Sequence, residues 1–232
     1  MYDDLMDAFN LYSYGATSSF LIGHVENNNF FSTGTAFCVA GKNYFLTCLH
    51  CVDITKDLYI ALPKFRDGFI DTTTSELTCW KVKLIRKNVK HDVALLKADT
   101  FFLKSAYQKL NEFFKNSSDV NVLDEVIYCG YPLYSHGSGS LKWSKSSISS
   151  KNIVKDEGKH YVLDSVIHPG NSGGPLIDPK TFQVIGIIAS TFDPSGNTGM
   201  FVNGLKMGNT SIGRAICIEH AFNLLKAEGL YE

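Results

Sequence analysis

Asp164-Ser165-Val166-Ile167-His168-Pro169-Gly170-Asn171-Ser172-Gly173-Gly174-Pro175-Leu176 sets one serine inside a glycine-rich turn and leads into an apolar run. Acyl transfer needs a nucleophile on a tight turn, with free backbone N–H groups aimed at the developing oxyanion. Glycines two before, one after and two after Ser172 meet that need. They tolerate unusual φ and ψ, and they let a substrate carbonyl approach the backbone. A serine flanked by one glycine is common in surface turns. Seven consecutive residues of the form G-N-S-G-G-P-L, followed by Val184-Ile185-Gly186-Ile187-Ile188, form a far more specific pattern.

Outward from this turn the chain breaks into short β-rich runs separated by polar turns. They are Phe20–Val25, Thr33–Val39, Tyr44–Thr47, Asp57–Leu62, Thr78–Ile85, Val93–Lys97, Val126–Cys129, His160–Leu163, Leu176–Ile177 and Val184–Ala189. This spacing, without intervening helices of similar length, predicts antiparallel sandwiches or barrels and argues against βαβ units. Three short helices are expected. One covers residues 3–12; one covers 100–116, where Leu103, Tyr107, Leu110 and Phe114 form a stripe; the last is Glu219–Glu228, stopped by Gly229. Ser135–Ser150 holds eight of the 21 serines and reads as a flexible surface loop. The basic run Lys81, Lys83, Arg86, Lys87 and Lys90 alternates with Val82 and Leu84, the pattern of a strand's wet face.

The 232 residues carry 22 Lys+Arg against 23 Asp+Glu, and 44% are hydrophobic, which excludes a disordered or collagen-like chain. A net charge of −1 provides no field to attract nucleic acid or an anionic membrane, so neither is an expected partner. The opening residues are acidic where an export signal needs basic ones, and no segment approaches the ~18 apolar residues of a membrane helix. With six cysteines expected to be reduced, a cytoplasmic location is predicted. Cys48 and Cys51 form a C-x-x-C pair. A zinc site needs a second such pair, and the sequence has none.

Gly170-Asn171-Ser172-Gly173-Gly174-Pro175-Leu176 resembles the nucleophile loop of trypsin-like serine proteases, and in particular the HtrA-like group, with Asp164 and Ile167 placed as in that group. Two further stretches fit. Thr33-Gly34-Thr35-Ala36-Phe37 followed by Leu46-Thr47-Cys48-Leu49-His50-Cys51-Val52 resembles the histidine motif. Asp92-Val93-Ala94-Leu95-Leu96-Lys97 resembles the acid motif. The resemblance implies His50 as general base, Asp92 as its orienting acid and Ser172 as nucleophile. Asp53, three residues from His50, competes for the acid role but suits a loop cap better. The other histidines, His24, His91, His136, His160, His168 and His220, read as structural.

By the same resemblance the fold is all-β: two six-stranded antiparallel, chymotrypsin-like barrels with short N-terminal, middle and C-terminal helices. The whole chain would form one protease unit, with a first barrel and bridging helix over about 15–115, a second barrel over about 120–218 and a terminal helix at 219–229. The oxyanion hole would comprise Gly170, Asn171 and Ser172, and the substrate pocket Val166, Ile167, His168, Pro169, Ala189, Ser190 and Thr191. The absence of an acid from the pocket residues argues against Lys or Arg selection. Glutamyl endopeptidases share a Gly-Tyr-Pro like Gly130-Tyr131-Pro132, but carry a histidine where this chain has Ile188, so Glu selection is not expected either. A small or medium apolar residue before the scissile bond is expected.

The implied activity is that of a serine endopeptidase acting on protein or peptide substrates without metal or cofactor. The alternative is a protease-fold binding or regulatory module whose triad is inactive or waits for activation. The residues leave the oligomeric state open, and an activator protein is compatible with either picture.

Overall fold

A computed structural model describes residues 19–39, 43–66, 69–71, 74–99, 113–132, 139–192, 201–202, 205–206 and 212–231. Twelve strands build two closed antiparallel barrels. The first comprises β1 (Ser19–Glu26), β2 (Asn29–Cys38), β3 (Tyr44–Cys48), β4 (Leu58–Pro63), β5 (Leu77–Asn88) and β6 (Val93–Ala98), ordered β1-β2-β3-β6-β5-β4 around the ring. The second comprises β7 (Glu125–Gly130), β8 (Lys142–Val154), β9 (Gly158–Leu163), β10 (Pro175–Ile177), β11 (Val184–Phe192) and β12 (Ile212–Cys217), ordered β7-β8-β9-β12-β11-β10. Strand for strand the two orders are the same, so the barrels repeat one topology although no repeat is visible in the residues.

Local sequence accounts for most of these strands. β6 reads Val-Ala-Leu-Leu-Lys-Ala and is buried at every position except Lys97, as expected of a strand enclosed on both faces. β5 is largely exposed, and its cations meet acids at the surface: Lys81 with Asp57, Lys83 with Asp99, and Arg86 with Glu228. The basic run is therefore a solvated face.

The serine-rich expectation needs correction. Lys142–Val154, placed partly in a loop by its composition, is the 13-residue strand β8. It pairs with β7 from Lys142↔Gly130 to Ser147↔Glu125 and with β9 from Ile148↔Leu163 to Val154↔Gly158. Pairing along both edges overrides the weak strand preference of serine. Residues 133–138 lie outside the described residues, as do 3–12 and most of the helix expected at 100–116.

A C-terminal helix, α1 (Glu219–Lys226), follows β12 and is closed by Gly229 at φ +64°. Although it follows the second barrel in sequence, it packs on the first. Ala221, Leu224 and Leu225 join one core with Phe45, Leu95, Leu96 and the second-barrel residues Val184 and Ile187. This core spans the seam between the barrels, and the seam is where the motif residues meet.

Candidate active site

The register of the first barrel brings the histidine and the acid together. Cys48↔Val93 is the last pair between β3 and β6, so the chain leaves β3 toward His50 just where it enters β6 from Asp92. His50 sits in a single 3₁₀ turn, Leu49–Cys51. Its ring Nδ1 lies 2.6 Å from Asp92 Oδ2, and its backbone N–H donates to Asp92 Oδ1 at 2.8 Å. The Leu49 N–H donates to the Asp92 carbonyl at 3.0 Å. Asp92 takes φ +54°, a left-handed backbone uncommon outside glycine and tolerated by Asp. Three hydrogen bonds hold the acid in that conformation. The Asp92 bond, and after it the Cys51 thiol against the ring, push the His50 pKa up to about 10. Asp53 binds only its own loop, accepting from the Thr55 N–H and hydroxyl, and so is the cap that its spacing suggests.

Ser172 arrives from the second barrel on the turn between β9 and β10 and is 4% exposed. Proline at position 169, φ +94° at Gly170 and a 3.1 Å hydrogen bond from the Asn171 N–H to the His168 carbonyl define a type II turn. Gly173 follows at φ +88°. The amides of this turn divide into two sets. Asn171 N–H is bound to His168, Gly173 N–H donates to the Ile188 carbonyl at 2.7 Å, and Gly174 N–H donates to the Asn171 carbonyl at 3.0 Å. Among the described residues, the Gly170 and Ser172 N–H groups donate to nothing. Two open donors, one on the serine itself and one two residues before it, are the arrangement an oxyanion requires. No hydrogen bond joins Ser172 to the His50 ring among the described residues. Catalytic contacts of this kind are often long before substrate binds.

The buried Asn171 side chain has no hydrogen-bond partner at Oδ1 or Nδ2; it packs against Gly130, where an added Cβ would come within 2.9 Å of Oδ1. On the run before the turn, Ile167 is buried in the second core, whereas Val166 is 52% exposed. Ala189 is also a core residue, and Pro169 is exposed. The Ser190 and Thr191 side chains lie outside the described residues. Exposed apolar surface on this run thus comes from Val166 and Pro169.

One cluster of metal-ligand type stands out among the described residues: Cys48, His50 and Asp92, with ligand atoms within 4.8 Å of one another. Its polar atoms are already engaged within the protein, since Cys48 Sγ donates to the Ile188 carbonyl and His50 Nδ1 faces Asp92. Burial pushes the Cys48 thiol well up, which disfavours the thiolate a metal requires.

Sequence reasoning missed Thr35. It lies on β2, fully buried, and binds the turn around Ser172 twice: its N–H donates to the Ser172 carbonyl at 2.8 Å and its hydroxyl to the Gly170 carbonyl at 2.7 Å. The available signal was a threonine inside the glycine-led strand segment, which reads only as a β-former.

Comparison with known proteins agrees with this geometry. The Trypsin-like peptidase domain profile matches residues 34–187. A protein of Pseudomonas savastanoi pv. phaseolicola described as a probable periplasmic serine endoprotease DegP-like is 31% identical over 167 residues, covering 71% of this chain and 30% of that protein. The chain thus spans about 30% of the length of the curated relatives it matches. In structure it resembles the MamO protease domain from Magnetospirillum magneticum (TM-score 0.66, 16% identity, 95% of this chain and 100% of that one). It also resembles the HtrA-type protease AlgW with tripeptide (TM-score 0.67, 22% identity, 95% of this chain and 62% of that one).

These relatives overturn the cytoplasmic expectation, because the curated ones are periplasmic by name. The six free thiols do not fix the compartment, since five are buried and packing accounts for them. No helix among the described residues is long and apolar enough to cross a membrane. The histidine, acid and serine motifs, the paired barrels and the matched profile agree: this chain belongs to the trypsin-like peptidase domain family.

Proposed function

We propose that the chain is a serine endopeptidase whose two barrels act as one catalytic unit, with His50, Asp92 and Ser172 as its triad. The observation that carries this reading is the pair of open N–H groups at Gly170 and Ser172, beside a histidine held at two points by Asp92. Ser172 Oγ attacks the peptide carbonyl while His50 Nε2 takes its proton, and Asp92 keeps the other ring proton on Nδ1. The carbonyl oxygen, now negative, is stabilised by the Gly170 and Ser172 N–H groups, a contribution of about 3 kcal/mol for each such donor. His50 returns the proton to the leaving amine, and water then hydrolyses the acyl-enzyme by the same route.

For the residue before the scissile bond, the exposed apolar surface of Val166 and Pro169 supports a small or medium apolar side chain. By likeness to relatives with protein and peptide substrates, an unfolded or extended polypeptide is the substrate class to test. Cleavage of an unfolded protein such as reduced casein is expected from the wild type and is expected to be lost in Ser172→Ala and His50→Ala. Equal cleavage by wild type and Ser172→Ala would refute the triad. A peptide library should show an apolar preference, and a clear preference for basic or acidic residues would refute that part.

The lack of a Ser172–His50 hydrogen bond favours a second reading, in which the triad closes only on substrate or activator binding. Activity that appears only after pre-incubation with a peptide ligand would support it.

A further inference from the structure

We propose that Thr35 is a positioning residue for this reaction, docking the nucleophile turn of the second barrel onto the strands that carry the histidine. The proposal rests on the reading of Ser172 as nucleophile. Every polar atom of Thr35 is committed. Its N–H donates to the Ser172 carbonyl and its hydroxyl to the Gly170 carbonyl. The same hydroxyl accepts the Tyr131 N–H at 2.9 Å, and the Thr35 carbonyl accepts the Thr47 hydroxyl at 2.7 Å. Thr47 lies on β3, three residues before His50. One buried threonine thus connects the histidine strand to the backbone on both sides of Asn171.

The peptides of the turn show what this does. The 170–171 peptide is held at both ends, its carbonyl by the Thr35 hydroxyl and its N–H by His168. The 172–173 peptide is also held at both ends, by the Thr35 N–H and by the Ile188 carbonyl. Between them, Ser172 has little freedom to move relative to His50, and its own N–H is left open. Without the hydroxyl, the Gly170 carbonyl and the Tyr131 N–H lose a shared buried partner. Glycine at 170 then lets the turn drift, because it restricts its own φ so little. A displacement of about 1 Å at a reacting group can cost up to roughly 10²-fold in rate.

Thr35→Val keeps the shape and removes the hydroxyl, whereas Thr35→Ser restores the hydroxyl without the methyl. Both would be compared with wild type by the rate of fluorophosphonate labelling at Ser172. They would also be compared by kcat and KM on a peptide substrate, normalised to active-site concentration, with thermal melts to confirm folding. Thr35→Val is expected to lose about tenfold to a hundredfold in both kcat and labelling rate, with KM within about threefold of wild type. Thr35→Ser is expected to recover most of that loss. A Thr35→Val protein with kcat within about twofold of wild type overturns the positioning role, as does an equal loss in both variants. A folded wild type that neither labels nor cleaves overturns the catalytic reading, and this proposal with it. An active wild type beside an equally active Thr35→Val overturns this proposal alone.

Discussion

Replacing Gly173 with alanine tests how tightly the barrels are closed at the nucleophile turn. A Cβ at this position would lie 2.0 Å from the Thr35 carbonyl oxygen and 2.2 Å from the Thr47 hydroxyl, with the Cys48 nitrogen at 3.2 Å. The first of these is backbone of β2, paired there with β1, so β2 and the turn must separate by about 1 Å, an overpacking cost of about 1–3 kcal/mol. Holding alanine at φ +88° adds about 1–2 kcal/mol. Disturbing the Thr47–Thr35 hydrogen bond adds about 1 kcal/mol more. The sum is about 3–6 kcal/mol, a large part of the roughly 5–15 kcal/mol that holds a domain together. At about 2–4 °C per kcal/mol for a chain of this size, the melting temperature should fall by about 6–24 °C.

The control is Gly229→Ala, where φ is +64° but nothing lies within 4 Å of the new Cβ. It should cost only the conformational share, about 1–2 kcal/mol. Thermal unfolding followed by circular dichroism reads both variants. A Gly173→Ala protein that melts no lower than Gly229→Ala and keeps wild-type activity would refute the close docking of turn on strand.

Other consequences follow from the same geometry. The Asp92 hydrogen bond raises the His50 pKa toward about 10, and a base must be neutral, so kcat/KM should rise with pH through a limb above the ordinary imidazole value of 6.5. A limb at or below 6.5 would contradict that coupling. In Asp92→Asn, kcat should fall by about 10⁴-fold. His220 stacks on His91 at 3.8 Å between ring centres and accepts the Lys159 N–H; burial first, then His91 and His160, lower its pKa to about 4. Glu157, whose carbonyl faces the His91 ring and whose carboxylate pairs with Arg214, closes the cluster. The unfolded chain therefore takes up a proton near 6.5 that the folded chain refuses, and this contribution to stability is present above pH 6.5 and lost as pH falls toward 4. His220→Gln should flatten the fall in urea midpoint between pH 7 and 5, and an unchanged slope would contradict it. Leu225, fully buried on the inner face of α1, should cost about 2–5 kcal/mol on change to alanine, read by urea unfolding.

The motifs were legible because their chemistry is local. Asp92 sits at the mouth of a strand buried at every position but Lys97, and Ser172 sits inside its own glycines. What escaped notice depends on distant pairing. β8 is serine-rich and has weak strand preference, yet two neighbouring strands fix it. Thr35 acts through carbonyls 135 and 137 residues away, a relation that no local spacing encodes. The pocket run Val166-Ile167 was read as one lining surface, but its alternation turns Ile167 into the core and leaves Val166 outside. The return of α1 to the first barrel was likewise invisible, because its apolar stripe shows that it packs but not on what.

The most direct test of the account is the site of covalent attack by diisopropyl fluorophosphate. Treated wild type should gain one phosphoryl adduct, which peptide mapping by mass spectrometry should place on Ser172. The adduct should be absent from Ser172→Ala and formed far more slowly in His50→Ala. A folded wild type that gains no adduct, or one that carries it on another residue, would contradict Ser172 as the nucleophile.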